Sequence, residues 1–232
     1  PTPAPTPAPT PEPTPEPTPV PTAPPAAAPE KELLPSSFFD DAAFVGVGCS
    51  GALEYYANNS EGALGTAQFL VLNNYSLRGA SDGKELLFYS GGRMKLEQAV
   101  EAAGVNKLFI MLGAGDLAEI DAGTAAWEMA RLVTHVRRTC PDVEIFLQSE
   151  MPVAADAKDP DNALIDEYNA ELRKVAAKYD CCYVEIGAHF KGEDGALDAS
   201  YLKEDGSMTI EAGETWAGLL RDPDNYSDSP QG

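Results

Sequence analysis

Five short stretches of the chain are nearly all apolar and do not alternate with polar residues: 43–46, 68–72, 107–112, 143–147 and 182–186. A strand covered by helices on both faces has this signature, because neither face meets water. Between and after them the apolar positions recur at helical spacing. Met129, Val133 and Val136 form one such stripe, and Leu164, Tyr168, Leu172, Val175 and Tyr179 form a second. Trp216, Leu219 and Leu220 mark a last helix. The alternation predicts an α/β fold: a three-layer, doubly wound sheet of about five parallel strands. The C-terminal ends of such strands share one edge, where ligands bind.

A composition break precedes the first stretch. Residues 1–30 hold fourteen prolines in Pro-Thr-Pro-Ala and Pro-Thr-Pro-Glu repeats. Proline fixes φ and carries no N–H, so this segment builds neither helix nor sheet. It reads as a stalk or linker over residues 1–35, ahead of one packed domain over 36–222 and an acidic flexible tail over 223–232. In polyproline II form the repeat would reach roughly 90 Å, at about 3.1 Å per residue. That reach suits the crossing of a cell wall, so the protein is expected to be extracellular or anchored at a bacterial surface, and a monomer. The sequence opens inside the repeat, without an initiator Met or a signal-like apolar stretch. Any export signal or lipid-anchor Cys is therefore expected to have been removed or to lie outside this sequence.

Charge narrows the partners. Asp and Glu number 37 against 16 Lys and Arg, a formal charge of −21, which repels nucleic acid and anionic membrane surfaces. No run of apolar residues is long enough to span a bilayer. The cysteines leave the redox compartment open. Cys140 stands just before one apolar stretch, and Cys181 and Cys182 open another. A disulfide at that sheet edge and small buried thiols are both compatible with this placement.

Three segments then carry the chemistry. Phe44-Val45-Gly46-Val47-Gly48-Cys49-Ser50 runs a strand into a turn and on through Gly51-Ala52-Leu53 towards a helix. Phe109-Ile110-Met111-Leu112-Gly113 leads to Ala114-Gly115-Asp116-Leu117, and Asp205-Gly206-Ser207-Met208 precedes Glu211-Ala212-Gly213 and Trp216. In order and spacing these blocks resemble the SGNH (GDSL-type) hydrolase superfamily over about residues 38–221, which implies a flavodoxin-like sheet. That family has Gly-Asp-Ser at the first strand, Gly-x-Asn-Asp at the third and Asp-x-x-His before the last helix. Carried over, the resemblance puts Gly48 at the nucleophile position, Gly115 at the oxyanion-binding Asn and Met208 at the general-base His, and leaves Asp205 in place.

Ester hydrolysis on this framework needs a nucleophilic hydroxyl, an imidazole to take its proton, a carboxylate to orient the imidazole, and donors for the oxyanion. Glycine supplies no nucleophile and methionine accepts no proton near neutral pH. The resemblance therefore implies a catalytically degenerate domain with no intact catalytic set. Its vestigial pocket would be formed by Val47, Gly48, Cys49, Gly115, Asp116, His189 and Met208, and its role would be binding or scaffolding at the envelope, towards a cell-wall or other glycan. The alternatives are an active esterase or acetylhydrolase of acylated carbohydrates, using Cys49 or Ser50 with His189 and Asp205, and an engineered inactive variant of such an enzyme.

The remaining candidates are plainer. His135, near Arg137 and Arg138, reads as a cation close to a helix C-terminus. The residues 156–161 read as a polar loop that starts a helix near Pro160. The scattered carboxylates and two histidines give no metal-ligand spacing, so neither metal nor cofactor is expected.

Overall fold

The computed structural model describes residues 31–46, 50–60, 62–71, 75–158 and 160–227. In chain order the elements are β1 (Ala42–Gly46), α1 (Ser50–Asn59), β2 (Gln68–Val71), α2 (Leu77–Asp82), β3 (Leu87–Tyr89), β4 (Gly92–Met94), α3 (Leu96–Ala103) and β5 (Lys107–Met111). They continue with α4 (Ala122–Thr139), β6 (Glu144–Gln148), α5 (Asn162–Lys178), β7 (Cys182–Val184) and α6 (Ile210–Arg221). The Pro-rich segment and the turn at Val47, Gly48 and Cys49 lie outside the described residues.

Five strands form one parallel sheet in the order β2-β1-β5-β6-β7. All five coincide with the apolar stretches of the sequence, and α4, α5 and α6 with its three helical stripes. The sheet is covered on both faces. Ala43, Val45, Leu108, Ile110, Ile145 and Leu147 point into a core shared with Val100, Met129, Val133, Ile165 and Leu172 of α3, α4 and α5. Ala42, Phe44, Phe109, Met111 and Phe146 point the other way, onto Leu53 of α1 and Trp216 and Leu220 of α6.

The second face is built around a row of rings set by strand register. Phe69 pairs with Phe44, Phe44 with Phe109, and Phe109 with Phe146 in neighbouring strands. Their rings stack with centroids 5.3, 4.6 and 4.4 Å apart. Such pairs contribute about 0.5–1.5 kcal/mol each beyond the area that they bury. Trp216 closes this layer, its indole N–H donating to Gln148 Oε1 at 2.8 Å, with both residues buried.

The packed body extends further than the 36–222 read from the sequence. Leu34 is buried, and its amide donates to the Arg221 carbonyl at 2.7 Å. Past α6 the chain is not a free tail up to Ser227. Tyr226 is buried, bridges Val184 and meets the Phe146 ring edge-on. The Ser227 amide donates to the Tyr183 carbonyl at 2.8 Å. The reason is the free edge of β7, whose backbone groups this segment satisfies. Cys140, Cys181 and Cys182 are thiols rather than half-cystines. Burial pushes the Cys140 and Cys181 thiols above their ordinary range. The hairpin β3–β4 was not visible in the periodicity. No described helix is long and apolar enough to cross a membrane.

Candidate functional site

Helices α1 and α6 lie side by side because Gly213 removes a side chain at their crossing. A Cβ there would overlap the Ala52 carbonyl oxygen. The lead-in to α6 is fixed by its own hydrogen bonds. Leu202 and Met208 form an antiparallel bridge, the Lys203 amide donates to the Ser207 carbonyl at 2.8 Å, and Gly206 turns the chain at φ 79°. Thr209 then caps α6, its side chain accepting from the Ala212 amide at 3.2 Å. Between this lead-in and the start of α1 lies a cleft of about 660 Å³, lined by Gly51, Ala52, Tyr55, Lys203, Met208 and Ile210 among others. Tyr55 and Ile210 are 54% and 49% exposed, so the rim offers apolar surface to solvent.

Met208 lines the cleft with its side chain partly packed on the Phe-rich core. Asp205 is in the neighbouring turn but is spent on it: Oδ1 accepts from the Ser207 amide at 2.9 Å and from its hydroxyl at 2.6 Å. The Ser207 hydroxyl and amide hold this exposed carboxyl below the usual carboxylate range. Gly115 and Asp116 lie on a short 3-10 turn, Ala114–Ala118, that follows β5. A Cβ on Gly115 would meet nothing within 4 Å. Asp116 is buried, its carboxylate receiving the amides of Leu77 and Arg78 at the start of α2.

His189 follows β7 and bonds Asn225 Oδ1 through Nε2 at 3.0 Å. Strands β5 and β6 stand between β1 and β7, so the end of β1 and the end of β7 are roughly 14 Å apart at ordinary strand spacing. Gly115, Asp116 and His189 are not among the residues that line the cleft; Met208 is. Val47, Gly48 and Cys49 adjoin the start of α1, but their placement lies outside the described residues. Neither His135 nor His189, the chain's two histidines, lines the cleft. Among the described residues no three His, Cys, Asp or Glu side chains gather to hold a metal ion.

Three further residues stand by the sheet edge, of which Glu150 has no place in the sequence patterns above. Gly113 has φ 130°, and a Cβ on it would overlap the Tyr168 ring. Tyr168 is fully buried and donates to the Leu112 carbonyl at 2.8 Å. Glu150, two residues past β6, is a buried carboxyl whose pKa burial pushes up to about 7. Its trace in the sequence is a single Glu three residues past the apolar stretch 143–147.

The pattern of the GDSL-like lipase/acylhydrolase family matches residues 42–206. Among solved structures, a GDSL-like lipase from Bacteroides thetaiotaomicron superposes with a TM-score of 0.58 at 15% identity, covering 80% of this chain and 88% of that one. An acetyl xylan esterase from Geobacillus stearothermophilus, in a variant form, superposes with a TM-score of 0.52 at 17% identity, covering 78% and 93%. These likenesses show the fold. No curated protein sequence matches the chain.

Proposed function

The chain belongs to the GDSL-like lipase/acylhydrolase family, and from that premise we propose that it is a catalytically degenerate member whose cleft binds its ligand without hydrolysing it. The observation that carries this reading is Met208. A thioether, and no imidazole, faces the cleft at the lead-in to the last helix. Hydrolysis of a carboxylic ester, the reaction of the family, needs a base that can take a proton from the nucleophile at that place. The carboxylate of the adjoining turn, Asp205, already accepts two hydrogen bonds from Ser207.

The ligand we infer is an acylated glycan at the cell envelope. The exposed Tyr55 ring on the rim is a flat apolar surface of the kind that pyranose faces stack on, and Lys203, Ser207 and Thr209 set polar groups beside it. An acetyl xylan esterase is among the proteins of similar fold, which bears on ligand class by analogy only. The Pro-rich segment supports secretion or surface tethering. Titration of the full chain with an acetylated xylo-oligosaccharide, followed by NMR, tests both halves of the proposal. Shifts confined to residues of the cleft, with no acetate released, are expected. Acetate release would defeat the degenerate reading, and an unshifted spectrum would defeat the glycan ligand.

A further inference from the structure

Lys84, Lys107, Lys174 and Lys191 each pair with an Asp or Glu at 3.0 Å or less. Lys203, exposed on the lead-in to α6, enters no ion pair among the described residues. Its backbone is fixed from both sides, the amide donating to the Ser207 carbonyl at 2.8 Å and the carbonyl accepting from the Gly206 amide at 3.0 Å. The ammonium therefore swings on a flexible four-carbon stem from a set point on the wall of the cleft. Among the described residues that line the cleft it is the one charged group, in a chain of formal charge −21. Glu204, Asp205 and Glu211 are close in sequence, but none of them lines it. Asp205 is turned onto Ser207, and Glu211 belongs to the first turn of α6.

At physiological ionic strength, charges more than about 8 Å apart are largely screened, so a ligand is judged by the groups beside it rather than by the net charge. A polyanion would lie across the acidic surface outside the cleft and be repelled. A single carboxylate seated in the cleft meets an ammonium, with no acid in the lining to compete. Tyr55 and Ile210 on the same rim offer apolar surface, and a pyranose that carries a carboxylate on its ring satisfies both kinds of neighbour at once. Resting on the glycan reading above, we propose that the cleft selects glycans bearing a uronic acid unit, with Lys203 as the residue that recognises the carboxylate. An inorganic anion offers the ammonium the same charge but gives the Tyr55 ring nothing to stack on.

Two NMR titrations of the full chain at about 0.15 M salt read this selection, one with an acetylated xylo-oligosaccharide carrying a glucuronic acid unit and one with its neutral counterpart. The acidic oligosaccharide should bind about two- to fivefold tighter, the size of one exposed ion pair. The preference should fall to about unity in Lys203→Met, invert in Lys203→Glu and persist in Lys203→Arg, a series that follows charge and that a merely structural side chain would not produce. Inorganic phosphate at equal concentration should leave the acidic oligosaccharide bound. Equal affinity for the two oligosaccharides, or a preference that survives in Lys203→Met, would overturn the selection and leave the glycan cleft standing. Binding of neither would overturn both. Displacement by phosphate would overturn the selection as well, by reducing the cleft to a site for any anion.

Discussion

The carboxylate of Asp116 holds the backbone amide of Leu77, at 2.8 Å to Oδ2, and takes the Arg78 amide at 3.1 Å with Oδ1. Ser76 accepts from the Gly79 amide at 2.9 Å, and its own amide donates to Glu85 at 2.6 Å. Side chains thus satisfy the first turn of α2, a helix too short to be stable alone. Asp116 therefore has a structural role of its own, as the anchor of the start of α2. Asp116→Ala should cost about 2–3 kcal/mol in urea unfolding, for two charge-assisted bonds lost in a buried place. Asp116→Asn, which keeps one acceptor, should cost less. Equal losses in the two variants would mean that charge, not acceptance, is what the helix start uses.

Two glycines two residues apart should answer differently to one added methyl. Gly113→Ala forces a Cβ onto the Tyr168 ring at φ 130°, and should destabilise by about 2–4 kcal/mol through overpacking and backbone strain together. Gly115→Ala enters open space without a positive φ and should lie within about 0.5 kcal/mol of the parent. Thermal unfolding of the pair checks the contrast. A large loss in Gly115→Ala would mean that the space beside it is occupied in solution.

Stability as a whole should depend on pH through Glu150. Its folded-state pKa lies near 7, so the unfolded chain releases this proton first as pH rises. Stability is complete below the ordinary carboxylate range and declines until about pH 7. A fully buried group displaced this far from its ordinary value accounts for a decline of about 3 kcal/mol. Denaturation midpoints across that window should fall in the parent and hold steady in Glu150→Gln. An unchanged slope in the variant would assign the decline to other groups.

What the sequence made legible was whatever burial writes into a local pattern. Strands covered on both faces announce themselves as apolar runs, which is why β1, β2, β5, β6 and β7 were readable while β3 and β4 were not. Those two are three residues each and carry Phe88 at 68% exposure, so they bury too little to leave a period. Their turn had a local sign in Ser90-Gly91, both at positive φ. The Phe69–Phe44–Phe109–Phe146 row depends on strand order and register, which no single segment encodes. The same holds for the site. Met208 and the start of α1 share a cleft because Gly213 and Ala52 touch across two helices. The reading of His189 as a pocket residue rests on its place after a strand end; it is not among the residues that line the cleft beside Met208.

Hydrolysis of p-nitrophenyl acetate by the purified full chain, beside a heat-inactivated control and the combined variant Val47→Asp, Gly48→Ser, Gly115→Asn and Met208→His, tests the degenerate reading most directly. The native chain should release p-nitrophenol no faster than the control. The combined variant should exceed it, since hydroxyl, imidazole and Asp205 act only as a unit, and each single variant should stay inert. Turnover by the native chain that vanishes in Cys49→Ala or Ser50→Ala would contradict the degenerate reading and make the protein a working esterase with a nucleophile of its own.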